Sequence, residues 1–267
     1  MDRQVAVGGA AGVRLIRRFA HLPEIGLVEP KKKGEEMGFF SDRGVYNNDP
    51  HKQNRLNERY NHIILPNLEH VAGKRLLDLG SFDGRWIWAC LESGASFVTG
   101  VEGRAASAEA GQQRIPQLEL RYRGAHEVLI GDAFDLLSVM RPYQFDTILC
   151  LGLFYHILNH ERLVAMIARL QPRAVIIDSG LLDSDEMIIK MKYEATEDPL
   201  MGLGTDKQTV VGIPSRGCLA ALGRMHGFRI RYIEWSGDEI RDHYDIDDYL
   251  KRQRFTCVLT PSVNATA

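Results

Sequence analysis

Three acidic residues recur in this sequence, each just inside or after a short apolar run. Asp78 lies in Leu76-Leu77-Asp78-Leu79-Gly80-Ser81-Phe82-Asp83-Gly84, Glu102 ends Phe97-Val98-Thr99-Gly100-Val101-Glu102, and Asp132 follows Gly131 in Gly131-Asp132-Ala133-Phe134. The first run reads as a strand, a glycine-containing turn holding Ser81 and Asp83, and a helix start. Gly80 and Gly84 let the backbone approach a ligand closely, and the following helix offers free N–H groups. An acid in that turn suits a ligand carrying an ammonium better than a pyrophosphate. Glu102 comes 18 residues after Gly84. A carboxylate at a second strand end can accept both hydroxyls of a ribose, as acids do in doubly wound nucleotide sites. Asp132 can meet the amino edge of an adenine, with Ala133 and Phe134 against the ring.

A fourth run leads into Leu151-Gly152-Leu153-Phe154-Tyr155-His156-Ile157-Leu158. Leu151 would border the same ligand mouth. His156 is the candidate general base, because an imidazole titrates near neutral pH, ordinarily at about 6.5. Tyr155 could line the ligand or touch a second substrate. The plainer alternative makes His156 a helix cap and the aromatics core. Asp178, Tyr193 and Glu194 are further substrate-pocket candidates, Arg85 and Arg104 flank the acidic motifs, and Arg59 and Tyr60 could fold over them. His156 and His160 are four residues apart, but no second acid or His pair completes a metal site, so no metal is expected.

The elements that must position these residues alternate. Strands are predicted at Arg75–Leu79, Phe97–Val101, Val128–Ile130, Phe145–Leu151 and Ala174–Asp178, with helices at Trp86–Leu91, Ala105–Arg114, Ala133–Met140 and Glu161–Leu170. Strands alternating with helices require a mostly parallel sheet covered on both faces. The helix near 160–170 has the apolar stripe Leu163, Met166, Ile167, Leu170, with Asn159 as its cap. Ser215 caps a last helix that ends at Gly227, and Phe228–Trp235 and Arg254–Leu259 form an antiparallel pair at the sheet edge, joined by a charged connection over 237–251. Upstream, Leu56, Tyr60, Ile63 and Ile64 mark a helix over about 50–72, interrupted or kinked at Pro66. The expected fold is α/β, a doubly wound, mostly parallel seven-stranded sheet with an antiparallel C-terminal strand and an N-terminal helical extension. Residues 1–49 form that extension, partly flexible and with a short amphipathic helix over 12–29. Residues 50–267 form the domain, and 180–213 form an insertion in which Met187–Tyr193 is an extra strand or a lid.

Composition sets bounds. With 267 residues, 33 Lys and Arg against 35 Asp and Glu, and a net charge of -2, the chain has one ordinary globular domain's composition and no basic nucleic-acid footprint. Cys90, Cys150, Cys218 and Cys257 are too few and too dispersed for a disulfide scaffold or zinc site, which suggests a reducing, cytoplasmic setting. No apolar run reaches the roughly 20 residues of a membrane helix, and the N-terminus lacks a secretory signal's apolar core. A homodimer is left open.

The four motifs together resemble the class I S-adenosylmethionine-dependent methyltransferases over roughly residues 50–260. Asp78, Gly80 and Gly84 match that family's D-x-G-x-x-x-G motif, Glu102 its ribose-binding acid, Asp132 its adenine-side acid, and Phe145-Asp146-Thr147-Ile148 its fourth-strand motif F-D-x-I/V. The resemblance implies S-adenosylmethionine as cofactor, with its ammonium near Asp78. A nicotinamide site would want G-x-G-x-x-G, and here three residues separate Gly80 from Gly84. The Gly152-to-His156 segment is similar to a G-x-x-Y-H motif of methyltransferases acting on sugars and other small molecules, and also resembles bacterial tRNA wobble-uridine carboxymethyltransferases. The leading expectation is methyl transfer to a hydroxyl or amine of a small molecule such as a sugar or secondary metabolite. The alternatives are an RNA-modifying methyl- or carboxymethyltransferase and a non-catalytic cofactor-binding scaffold.

Overall fold

The computed structural model describes residues 38–43, 46, 50–118, 122–195, 208–235 and 245–262. The helix expected over 12–29 lies outside them. In chain order the elements are α1 (Phe39–Asp42), α2 (Pro50–Arg59), β1 (Arg75–Leu79), α3 (Arg85–Glu92), β2 (Phe97–Glu102), α4 (Ala105–Leu118), β3 (His126–Ile130), α5 (Ala133–Val139), β4 (Thr147–Leu151), α6 (His160–Arg169), β5 (Ala174–Gly180), β6 (Ile189–Ala195), β7 (Gln208–Pro214), α7 (Arg216–Met225), β8 (Phe228–Ile233), α8 (Asp247–Leu250) and β9 (Arg254–Pro261).

Seven strands form one sheet in the order β3-β2-β1-β4-β5-β9-β8. The first five are parallel, and β9 runs antiparallel to both neighbours. Side chains alternate across this sheet. Leu76 therefore joins a cluster with Trp88, Ile87 and Ile63, while Leu77 and Leu79 join one with Leu136, Leu163 and Leu219 on the opposite face. Burial on both faces explains why β1 and β4 read as continuous apolar runs.

Helix starts and ends follow local chemistry. The Ser215 hydroxyl accepts the Cys218 N–H at 3.0 Å, capping α7, and Gly227 at φ +79° follows its end in the left-handed region. Asn159 precedes α6 but makes no capping bond with its side chain, against expectation. The helix anticipated over 50–72 is broken. After α2 the chain takes a wide turn at Tyr60–Ile64 and a tight one at Leu65–His70, where Pro66 supplies no N–H and Asn67 leaves helical geometry, its amide donating to the Ile63 carbonyl instead.

Phe39 stacks on Tyr60 at 3.7 Å and Phe40 meets Trp86 edge-on at 5.6 Å, so α1 packs against the elements that follow it. The insertion contains a second, two-stranded antiparallel sheet of β6 and β7. Strand β7 escaped the sequence reading because Gly212 and Pro214 punctuate it as a loop would be. The Gly212 N–H donates to the Ile157 carbonyl at 3.0 Å, which docks this hairpin beside the segment that follows β4.

Candidate functional site

A cleft of about 390 Å³ opens at the carboxyl ends of β1 to β4, bordered by Gly80, Glu102, Gly131, Leu151 and Gly152. The sheet order reverses between β1 and β4, and this is where open α/β sheets bind ligands. The volume is that of an ordinary small-molecule site.

The turn after β1 is shaped by backbone pairing. The Gly80 and Ser81 N–H groups both donate to the Val101 carbonyl, at 2.9 and 3.0 Å. A Cβ on Gly100 would sit 2.7 Å from the Ser81 hydroxyl, so the small residue in β2 is what lets the turn lie down. Gly84 takes φ +79° at the start of α3. Phe82, also at positive φ, donates its N–H to Glu102 Oε2 at 2.8 Å, and the Arg85 and Arg104 guanidiniums each lie within about 5 Å of its ring centre at the cleft's edge. Glu102 Oε1 accepts the Arg104 N–H and Nε–H at 3.0 and 3.2 Å. Glu102 therefore ties two loops together and borders the cleft. Ser81 and Asp83 do not border it. Ser81 is buried, and Asp83 pairs with Arg85 at 2.8 Å and Arg114 at 3.5 Å, anchoring the turn from outside.

Asp78 lies below the turn, 1% exposed, with neither carboxylate oxygen hydrogen-bonded. Burial, then the nearby Glu102 charge, push its carboxyl up to about 7, with Arg59 pulling the other way. Arg59, on the cleft wall, donates through Nη2 to the Leu151 carbonyl at 3.1 Å and to Asp178 at 2.9 Å, while its Nε–H has no partner. Asp132, Ala133 and Phe134 border the third side. Asp132 Oδ1 is occupied by the Phe134 and Asp135 N–H groups, so this acid caps α5 as well as facing the cleft.

His156 borders the cleft near the end of β4, and its Nδ1 lies 2.6 Å from Glu194 Oε2 on β6. The sequence offered these two residues separately, and the docked hairpin brings them together. Tyr155 is turned aside, its ring 4.0 Å from that of His156 and 5.4 Å below Arg254.

Two substrate candidates are corrected. Asp178 is fully buried, and Arg59, Arg254, Tyr249 and Thr256 all donate to it, so it holds the floor together and faces no ligand. Burial alone would raise its carboxyl, but the Arg254 and Arg59 guanidiniums hold it below the usual range. Tyr193 is 76% exposed and stands on the face of β6 opposite to Glu194, away from the cleft. His160 donates its Nε2–H to the Phe154 and Gly212 carbonyls and does not pair with His156. Among the described residues no group of three His, Cys, Asp or Glu is placed to hold a metal ion. Tyr249 and Arg254 were missed in sequence because they lie 71 and 76 residues beyond Asp178, with no local motif to mark them.

Comparison with known proteins bears on this geometry. Residues 77–177 match the family model described as "Methyltransferase domain". A tRNA U34 carboxymethyltransferase of Geobacter sp. (strain M21) is 30% identical over 95 residues, which is 35% of this chain and 27% of that protein, so the chain spans about a quarter of that relative's length. The N-terminal domain of EvdMO1, solved in the presence of SAH and D-fucose, is similar with a TM-score of 0.52 and 21% identity over 82% of this chain and 84% of that one. An S-adenosylmethionine-dependent methyltransferase from Mesorhizobium loti gives a TM-score of 0.52 at 18% identity, over 74% and 97% of the two chains. The DhpI–SAH complex gives 0.51 at 15%, over 85% and 96%. These structures share the fold, and the matched segment 77–177 runs from β1 to β5 around the cleft. Residues 77–177 thus match a methyltransferase domain, and the fold around them is the one these S-adenosylmethionine-dependent methyltransferase structures share.

Proposed function

We propose that the chain binds S-adenosylmethionine in this cleft and transfers its methyl group to a hydroxyl or amine of a small molecule, with His156 taking the acceptor's proton. The observation that carries this reading is a buried carboxyl and a buried guanidinium nitrogen that both lack a hydrogen-bond partner. Asp78 has no partner for either oxygen, and Arg59 has none for Nε. A buried carboxylate and a buried guanidinium donor left this way are costly. A free α-amino acid group, with one ammonium and one carboxylate, satisfies both. S-adenosylmethionine carries that group, whereas a dinucleotide's pyrophosphate would face Asp78 with like charge. Glu102 at the second strand end suits the ribose hydroxyls, and Ala133 and Phe134 suit a flat base.

Bound there, the cofactor supplies a methyl carbon on a sulfonium, which departs as a neutral thioether. The protein's share is to align the acceptor, exclude water and remove a proton. His156 borders the cleft beyond Leu151, which supports it as the group that receives that proton.

A compact acceptor is favoured over RNA because the arginines at the rim are engaged. Arg85 and Arg114 pair with Asp83, and Arg104 with Glu102. The net charge of -2 gives no general attraction to a polyanion. The four cysteines are free and buried, which supports a reducing compartment such as the cytoplasm. Among the described residues no helix is long and apolar enough to cross a membrane.

Calorimetry with S-adenosylmethionine and S-adenosylhomocysteine is the direct test, and saturable binding of both is expected. No binding of either would remove the reading. Tritiated methyl donor should then label a hydroxylated small molecule, with D-fucose as a first probe, and leave bulk tRNA unlabelled. Labelled tRNA would move the acceptor to the nucleic-acid class, and binding without transfer to any acceptor would favour a scaffold.

A further inference from the structure

The insertion between β5 and α7 carries its own sheet outside the seven-stranded one, and nothing in cofactor binding calls for it. Its first strand ends in Tyr193-Glu194-Ala195, and it delivers one carboxylate back toward the cleft. Glu194 Oε2 lies 2.6 Å from His156 Nδ1, with both side chains about one-quarter exposed. The hairpin is fixed there by Gly212, whose backbone contacts two residues that follow His156. Gly212 of β7 donates its N–H to the Ile157 carbonyl at 3.0 Å, and the Gly212 carbonyl meets His160 Nε2 at 3.1 Å. A side chain on Gly212 would place its Cβ 2.8 Å from His160 Cε1 and 3.2 Å from the Ile157 carbonyl, so the close docking depends on that glycine.

We infer that Glu194 is the positioning residue of the transfer reaction, holding His156 in the tautomer that carries its proton on Nδ1 and leaves Nε2 as the base. This rests on the methyl-transfer reading above. A carboxylate accepts and cannot donate when ionised, so a bond this short requires the imidazole to donate from Nδ1. The lone pair of the neutral ring is then on Nε2. In the reaction the acceptor oxygen forms its bond to the methyl carbon, the carbon–sulfur bond breaks with its electron pair going to sulfur, and the acceptor's proton moves to Nε2. Glu194 stays ionised and faces the imidazolium so formed, the role a buried acid plays beside a catalytic histidine elsewhere.

The other charged and titratable groups around the pair are few among the described residues. Lys192 Nζ lies 3.6 Å from Glu194 Oε1, the oxygen not used by His156. The Tyr155 ring lies against His156, with Arg254 on its far side. Lys192 faces the other oxygen of Glu194 and does not compete for the one that receives the histidine proton.

Nitrogen-15 NMR of histidine-labelled protein at pH 9, where an ordinary imidazole is neutral, reads the tautomer without any acceptor or cofactor. The His156 signal is assigned by its loss in His156→Gln. The wild-type protein should show a protonated Nδ1 and an unprotonated Nε2. Glu194→Ala should shift the population toward the Nε2-protonated form that free imidazoles favour, and Glu194→Gln, whose amide oxygen still accepts, should largely restore the wild-type signature. S-adenosylhomocysteine affinity should stay within about threefold in all three proteins, which also reports intact folding. A wild-type His156 protonated on Nε2, or a tautomer unchanged in Glu194→Ala, would overturn the inference. Failure of wild-type protein to bind S-adenosylhomocysteine would instead remove the methyl-transfer reading while leaving the tautomer result interpretable.

Discussion

Arg59 Nη2 lies 2.9 Å from Asp178 Oδ1, joining the last residue of α2 to the end of β5 beneath the cleft wall. The same carboxylate receives Arg254 Nε at 2.7 Å and the Tyr249 hydroxyl at 2.9 Å. Side chains from α2, α8 and β9 thus converge on one acid of β5, and one of them, Arg59, also borders the cleft. The trio is buried, so its worth is measured by what breaking it leaves behind.

Asp178→Asn should therefore cost about 3–5 kcal/mol, because two buried guanidiniums lose their countercharge. Denaturant titration should show a lower midpoint with little change in slope. The sign with pH follows from the depressed carboxyl. Its stabilisation is present above the ordinary aspartate value of about 4 and is lost as pH falls through the lower folded value. The Asn variant should accordingly show a shallower loss of stability on acidification. A difference below about 1 kcal/mol at neutral pH would show that the network is not a structural hub.

Asp78 has the opposite sign. Its folded value of about 7 lies above that of an unfolded aspartate, so its contribution is fully present below about pH 4 and is lost as pH rises through about 7. Pairing with an ammonium would favour the carboxylate, so cofactor binding near pH 6 should expel a proton. Affinity should rise with pH up to about 7 and then level off. Calorimetry in two buffers of different ionisation enthalpy counts that proton, and Asp78→Asn should abolish both its release and the slope.

Glu102→Ala should weaken S-adenosylmethionine binding by about 1–3 kcal/mol, the usual loss for a charged hydrogen bond. The structure adds that the Phe82 and Arg104 N–H groups lose their acceptor, so protease cleavage in the loops after β1 and β2 should also quicken. An unchanged affinity would move the ribose elsewhere.

His156→Ala should lower turnover by about 100-fold or more while leaving cofactor affinity largely intact. Single-turnover methyl transfer with an identified acceptor checks it. Near-normal turnover would assign the proton to another acceptor.

Gly111→Ala sets two effects against each other. Alanine is favoured over glycine inside a helix by about 1 kcal/mol. A Cβ here would lie 2.8 Å from the Asp83 carbonyl carbon and 2.9 Å from the Gly84 nitrogen, both backbone atoms of the turn that follows β1. Neither can swing aside as a flexible side chain would, so the variant should be net destabilised and bind cofactor more weakly. A raised thermal midpoint would show that α4 can retreat.

The residues nearest one another in sequence revealed most. Asp78, Gly80 and Gly84 were legible because a strand, a tight turn and a helix start impose their chemistry within a few residues, and the apolar runs of β1, β2 and β4 announced a sheet covered on both faces. The antiparallel ending was legible too, since two β-rich runs without a helix between them have few other ways to pair. Asn159 was misjudged as a cap because its residue type shows what a side chain can do, while its backbone geometry decides whether it does.

What the sequence by itself determined is the alternation of strands and helices in the main sheet and the positions of Asp78, Glu102 and Asp132 at the ends of β1, β2 and β3, because these follow from periodicity and short-range turn chemistry. Only the tertiary structure decided which distant side chains share a charge. Asp178 left the list of substrate contacts when Arg254 and Tyr249 folded onto it, and Glu194 found His156 through a hairpin whose glycine and proline had hidden it. Long-range ion pairs depend on how whole elements pack, and no local pattern of residues encodes that distance.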